Sequence, residues 1–200
     1  MDVVLASRNP RKLRELKEIL APRGWTLSPV DAYDHAEVDE PAPTFVENAL
    51  LKARHACAVS GKPAIADDSG LEVDALGGAP GVHSARYAGE HGNDTANNAK
   101  LLKALADVPE VQRGARFVCV IVYLRHADDP TPVIASGYWC GHILTAPRGR
   151  DGFGYDPVFW VPKSGCSAAE LDAAAKHRLS HRGQALRQLC DLLKAPQSTT

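Results

Sequence analysis

The residues from Pro63 to Gly81, PAIADDSGLEVDALGGAPG, constrain the fold more than any other stretch of this chain. A short apolar run, Ala64-Ile65-Ala66, leads into two adjacent carboxylates, Asp67 and Asp68, and then Ser69 and Gly70. A second apolar run reaches from Leu71 to Leu76, broken by Glu72 and Asp74, and Gly77-Gly78-Ala79-Pro80-Gly81 must turn. An apolar run that delivers carboxylates at its end reads as a buried strand reaching a site. Neighbouring like charges repel, and burial raises their pKa values unless a cation sits among them. A hard divalent cation such as Mg²⁺ meets that need and takes only one or two carboxylates from a protein. The competing reading, favoured if the pair stood alone, is a solvated Asp-Asp that simply opens a turn.

The segments around this stretch alternate between strand and helix patterns. Val3-Val4-Leu5-Ala6 reads as a buried strand, followed by an amphipathic helix with Leu13, Leu16, Ile19 and Leu20 inward. Asn9 suits its N-cap and Pro10 its first position. Thr26-Leu27 reads as a short strand, and residues 31–43, acidic and carrying Pro41 and Pro43, as a surface loop. Thr44 and Glu47 have the capping-box spacing for a helix running to about Ser60-Gly61. A helix is expected from Asn93 to Leu105. Phe117 to Leu124 and Val133 to Trp139 read as strands paired across Asp128-Asp129-Pro130, and Pro157 to Val161 as another. Ala168 to Ala175 reads as helical, and Ser180 as the cap of a last helix with Leu186, Leu189, Cys190 and Leu193 buried. The class is α/β, with a mixed central sheet flanked by helices.

Composition bounds the partners. With 200 residues, 44% of them hydrophobic, a single domain over residues 1–195 is expected, with 196–200 as a loose tail. A net charge of −1 gives no broad field for nucleic acid, and neither a membrane span nor a signal peptide is expected. Five scattered cysteines with no CxxC pair argue against a disulfide framework or structural zinc, and for a reducing cytoplasm.

Four segments carry candidate chemistry. A helix N-terminus binds phosphate through free N–H groups and its positive dipole end, and Arg8, Arg11 and Lys12 add cations there. Such cations are unfavourable by roughly 0.3–1 kcal/mol each without an anion, which favours polyanion binding over a plain basic patch. No GxxxxGK[ST] loop occurs. Asp67 and Asp68, with Glu40 from the acidic loop (Glu37 and Asp39 beside it), would form a Mg²⁺ shell together with a phosphate; a solvated acidic run is the alternative for Glu37 to Glu40. Asp151-Gly152-Phe153-Gly154-Tyr155-Asp156 sets an aromatic between glycines, either to stack on a nucleobase or to anchor a loop in the core. Lys176 and Ser180-His181-Arg182 offer hydrogen-bond donors for the carbonyl oxygens of a base, or else form an ordinary helix start.

The segments VVLASRNPRKLRELKEIL, TFVENALLKARHA, PAIADDSGLEVDALGGAPGVHSARYAG, DGFGYDPVF and SHRGQAL together resemble the Ham1/RdgB family of inosine/xanthosine triphosphate pyrophosphatases, in family order and almost end to end. The resemblance implies a two-lobed α/β fold with the active cleft between lobes, a homodimer, and Mg²⁺-dependent cleavage of non-standard purine nucleoside triphosphates to monophosphate and pyrophosphate. By motif position it implies that Ser7, Arg8, Asn9, Pro10, Arg11 and Lys12 hold the triphosphate. It likewise implies Asp68 as the base that activates water and as a metal ligand, and Glu40 as the second ligand, with Asp39 and Glu37 as alternatives. The same resemblance implies that Ser69 touches substrate, that Phe153, Gly154, Tyr155 and Asp156 line the base pocket, and that Lys176, His181 and Arg182 complete it. The family loop often reads T-G-N where this chain has Ser7-Arg8-Asn9, so Arg8 replaces a glycine. Two rivals are a Nudix hydrolase, excluded because Ile19 stands where its helix needs a second glutamate, and a non-catalytic nucleotide sensor or nucleic-acid module using Arg8, Arg11, Lys12 and Arg14. The near-neutral charge balance and the buried-looking Asp67-Asp68 pair speak against a nucleic-acid partner.

Overall fold

A computed structural model describes residues 1–36 and 38–194; Glu37 and the tail at 196–200 lie outside them. The elements are β1 (Asp2–Leu5), α1 (Pro10–Leu20), β2 (Thr26–Pro29), α2 (Phe45–Ser60), β3 (Ala64–Val73), α3 (Asp94–Ala104), β4 (Gly114–Leu124), β5 (Val133–Ile143), β6 (Phe159–Val161), β7 (Cys166–Ser167), α4 (Ala173–Leu179) and α5 (His181–Lys194). The strands form one sheet in the order β2-β1-β3-β4-β5-β6-β7. β1 runs parallel to β2 and β3, with Val4 opposite Ala64, while β6 is antiparallel to β5 and β7. The parallel pairs need helical crossovers, which α1 and α2 supply. The expected neighbours β4 and β5 are adjacent in the sheet.

The caps follow their side chains. The Asn9 carboxamide oxygen accepts from the N–H groups of Arg11 at 2.9 Å and Lys12 at 3.3 Å, with Pro10 at the first helical position. Thr44 Oγ1 accepts from the Glu47 N–H at 3.3 Å, and its hydroxyl donates to Glu47 Oε2 at 2.5 Å, so the glutamate closes the cap on the hydroxyl. Asn93 caps α3 by accepting from the Ala96 N–H. The helix read over Ala168 to Ala175 is instead a 3-10 turn at Ala168–Glu170 followed by α4, because Asp172 starts a new cap that accepts from the Ala175 N–H. β7 had no signal in the sequence, being only two residues long.

The strand through the central carboxylates differs from expectation. β3 does not end at Asp67 and Asp68 but continues through Ser69 and Gly70 to Val73. Successive side chains of a strand point to opposite faces, so the two carboxylates do not share one environment.

The chain divides into two compact units. The first holds Met1–Asp68, Cys119–Gly137 and the residues from Arg182 onward. On one face of its sheet Val3, Leu5, Ile65 and Ile121 meet Leu16 and Leu20 of α1 and Leu186 and Leu189 of α5. On the other, Val4, Ala64, Ala66 and Val122 meet Ala49, Ala53 and Ala56 of α2; the alanines let α2 lie close. The second unit holds Ser69–Val118 and Tyr138–His181. Its core joins Leu71 and Val73 of β3, Leu101 and Leu105 at α3, and the aromatic rings of Phe117, Trp139 and Phe159. Among the described residues, no helix is long and apolar enough to cross a membrane.

Candidate active site

In the first unit, strand alternation sends Asp67 toward α1 and α5 and Asp68 toward α2. Asp67 is 1% exposed. Its Oδ2 lies 2.9 Å from Lys12 Nζ and 3.5 Å from Arg182 Nε. Arg182 in turn places Nη1 2.6 Å from Glu15 Oε2, and both of those side chains are buried. Two cations therefore alternate with two carboxylates across α1, β3 and α5. Burial pushes the Asp67 carboxyl up, but Lys12, Arg182 and Lys52 outweigh it and hold the group well below the usual carboxylate range.

Asp68 faces a different set. Its Oδ1 accepts from Lys52 Nζ at 3.0 Å, and its Oδ2 from Asn48 Nδ2 at 3.4 Å. Lys52 Nζ also lies 2.8 Å from Glu40 Oε1. Burial pushes Asp68 above its ordinary pKa; Lys52 opposes this and Glu40 adds to it. Burial alone would lower Lys52, yet Asp68 and Glu40 raise it. Asn48 is fully buried and does two jobs. Besides its bond to Asp68, it exchanges hydrogen bonds with the Ala42 backbone, accepting from its N–H at 3.0 Å and donating to its carbonyl at 3.2 Å. The loop bearing Glu40 is thereby tied to α2 beside β3.

Glu40 and Asp68 thus bracket one cationic atom with hard carboxylate oxygens, the donor chemistry a divalent cation such as Mg²⁺ selects.

The loop before α1 is arranged otherwise than its sequence suggests. The Arg11 and Lys12 N–H groups are taken by Asn9, the Leu13 N–H bonds the Asn9 carbonyl, and Pro10 has none. The free first-turn N–H groups expected for a phosphate are therefore already used, because asparagine is too good an N-cap. Ser7 Oγ accepts from the Asn9 N–H at 3.3 Å. Arg8 turns to the acidic loop, with Nε 2.6 Å from Asp31 Oδ1 and Nη2 2.5 Å from the Ala36 carbonyl. Arg11 is exposed and Lys12 half-buried.

The second unit holds Ser69, Phe153, Gly154, Tyr155, Asp156, Lys176 and His181. Asp156 is 3% exposed. Its Oδ2 accepts from the Phe153 N–H at 2.7 Å and from Lys176 Nζ at 2.5 Å. Lys176 Nζ lies 5.0 Å from the centroid of the half-buried Phe153 ring, a cation–π distance. Gly152 has φ +78°, and a Cβ there would meet Asp156 Oδ2 at 2.2 Å, so the aspartate can reach the Phe153 N–H only beside a glycine. The buried Tyr155 hydroxyl donates to the Ser84 carbonyl at 2.9 Å, which makes this residue a loop anchor. The His181 ring stacks on Phe117 at 4.8 Å between centroids and 11° between planes. Ser69 is half-buried on β3.

Several residues of these clusters escaped the sequence reading. Glu15 is a charge on the buried stripe of α1, one turn from Lys12 and beside Leu16. Asn48 and Lys52 are one turn apart on α2 and reach the same carboxylate. A polar residue at helical spacing within an apolar face was the available signal.

Residues 3–192 match the sequence profile described as the Ham1 family. The chain is 55% identical over 187 residues to a dITP/XTP pyrophosphatase of Vibrio cholerae, covering 94% of each chain. It is 59% identical to a protein of the same name in Aromatoleum aromaticum, covering 94% of this chain and 93% of that one. The fold superposes on a HAM1 protein from Coxiella burnetii with a TM-score of 0.89 at 47% identity, over 96% of this chain and 98% of that one. A nucleoside-triphosphatase / dITP/XTP pyrophosphatase from Mycobacterium abscessus gives 0.78 at 42% identity, over 97% and 100%.

Proposed function

Because the chain belongs to the Ham1 family, we propose that it hydrolyses non-canonical purine nucleoside triphosphates (dITP/ITP and XTP/dXTP) to the monophosphate and pyrophosphate, keeping deaminated purines out of DNA and RNA. The observation that carries the reading is the pair of carboxylates, Asp68 and Glu40, closed around a single cationic atom at the side of β3.

Asp68 and Glu40 would hold Mg²⁺. When bound, the ion supplies a counter-charge for the phosphate oxygens. The protein's own share follows from its residues. Lys12 and Lys52 bring ammonium groups whose positions are set by Asp67 and by Asp68 with Glu40, and Arg11 adds charge at the dipole end of α1. These cations neutralise the triphosphate. The Asp68 carboxylate accepts the proton of the water that attacks the α phosphorus. The bond to the bridging oxygen breaks, and pyrophosphate leaves as one unit.

Base choice falls to the second unit. Lys176 offers only donors, and His181 offers an N–H. Hypoxanthine and xanthine present a 6-oxo acceptor, whereas adenine presents a 6-amino donor and meets them donor to donor. Guanine shares the 6-oxo group, so its rejection rests on its 2-amino group elsewhere. Phe153 stacks on any base.

The test is incubation with ITP and Mg²⁺. Inosine monophosphate and pyrophosphate in equal amounts are expected. Stepwise passage through IDP with orthophosphate, or binding without turnover as for a nucleotide sensor, overturns the reading. A homodimer belongs to the same proposal, and a monomer by sedimentation at assay concentration would remove it. The five free cysteines fit the reducing cytoplasm.

A further inference from the structure

The loop that presents Phe153 is held from a helix that plays no part in the function proposed above. Gly154, in the left-handed region at φ +64°, follows Phe153 directly. Its N–H donates to Asp94 Oδ2 at 2.8 Å, and its carbonyl accepts from Asn98 Nδ2 at 2.8 Å. Asp94 and Asn98 are one turn apart on α3, so they share a face. One side chain is an acceptor and the other a donor, matched to the two polar groups of a single residue. On the other side of Phe153, its own N–H is held by Asp156, and Tyr155 is anchored through its hydroxyl to Ser84. The Phe153 N–H and both polar groups of Gly154 are thus held, while Phe153 itself is only half-buried.

We infer that Asp94 and Asn98 are positioning residues for the purine base: they lock the Gly154 residue so that Phe153 is presented in one orientation for stacking. The inference rests on the reading of Phe153 as the base platform. A loop held in its binding conformation binds more tightly, because less ordering remains to be done on association. Asn98 could not be replaced by aspartate, which would set a carboxylate against the Gly154 carbonyl. Asp94 could be replaced by asparagine, whose side-chain oxygen still accepts.

The experiment compares wild type with Asp94→Ala, Asn98→Ala, Asn98→Asp and Asp94→Asn. Binding of inosine monophosphate and of pyrophosphate, each with Mg²⁺, is measured by calorimetry beside KM and kcat for ITP. Loss of a fixed stacking partner should weaken inosine monophosphate about tenfold and raise KM by a similar factor in both alanine variants. Pyrophosphate affinity should change less than about twofold, since it engages none of this loop. Asn98→Asp should be worse than Asn98→Ala, and Asp94→Asn should recover most of the affinity. Unchanged inosine monophosphate binding in the alanine variants overturns the inference and leaves the function standing. Equal losses for inosine monophosphate and pyrophosphate also overturn it, because they mark a general folding role. A wild-type protein that binds inosine monophosphate but releases no pyrophosphate from ITP sinks the proposed function, not this inference. Wild-type protein that binds neither probe overturns both.

Discussion

Arg182 Nη1 stands 2.6 Å from Glu15 Oε2, joining the first turn of α5 to the buried face of α1, and each side chain is less than one-tenth exposed. The same guanidinium reaches Asp67 through Nε. By motif position Arg182 was expected to read the base, but these carboxylate partners give it a structural task. Removing one member of a buried ion network strands the others without compensation, at a cost of about 3–5 kcal/mol.

Arg182→Ala is therefore expected to lower stability by roughly that amount and to reduce kcat/KM for ITP and ATP by a common factor. Arg182→Lys should not rescue it, since an ammonium cannot span both carboxylates as a guanidinium fork does. Urea unfolding and the ITP-to-ATP ratio check this together. A ratio that narrows on substitution, with stability intact, would return Arg182 to base reading.

Asp68→Asn keeps the size and loses the proton acceptor. The expected fall in kcat is roughly 10²–10⁴, with the unfolding midpoint nearly unchanged, since Asn48 and Glu40 still hold Lys52 and the loop in place. Steady-state turnover of ITP checks it, and near-normal kcat would remove Asp68 from the mechanism.

Asp67 makes a prediction about acid. Its folded pKa is depressed, chiefly by Lys12 and Arg182 against the opposing effect of burial. An unfolded aspartate titrates near about 3.9, so the unfolded chain binds the proton first as pH falls. The stabilisation is thus complete above that value and disappears as pH drops through the folded one. In EDTA, the slope of unfolding free energy against pH below about 4 should be steeper for wild type than for Asp67→Asn. Equal slopes would mean that the ion network does not hold Asp67 charged.

Phe153→Ala should lower kcat/KM for ITP, XTP and ATP by similar factors. Base–aromatic stacking is worth about 1–3 kcal/mol and does not depend on which base is stacked. Parallel assays on the three nucleotides check it; a changed preference among them would show that the ring also discriminates.

Much of the fold was legible because local chemistry decided it. Asn9, Thr44 with Glu47, and the Leu186–Leu189–Cys190 stripe each specify an element from within a few residues. The course of β3 was not, since Asp-Asp-Ser-Gly reads as a strand end. The cations and donors on α1, α2 and α5 meet the two carboxylates from opposite faces, and beyond them Leu71 and Val73 are buried in the second core. Arg8 resisted reading for a similar reason: its partner Asp31 lies 23 residues away. Its charge suggested phosphate, whereas its position made it a tie for the acidic loop. Lys12, Asp68 and Glu40 stand out by residue type and motif, while the contacts of Glu15, Asn48, Lys52, Asp94 and Asn98 come from neighbours brought close by folding.

The chain passes from one unit to the other four times, between Asp68 and Ser69, Val118 and Cys119, Gly137 and Tyr138, and His181 and Arg182. A ribosome therefore delivers the pieces of the first unit in three instalments. Val3 and Leu5 emerge first, yet their packing partners Leu186 and Leu189 are among the last residues made. Leu16 and Leu20 of α1 follow at once and cover part of that face, but the first strand must wait for the rest of its covering until synthesis is almost complete. A nascent chain stopped anywhere before α5 lacks one wall of that core, and no single cut through the gene would release either unit as an independent module.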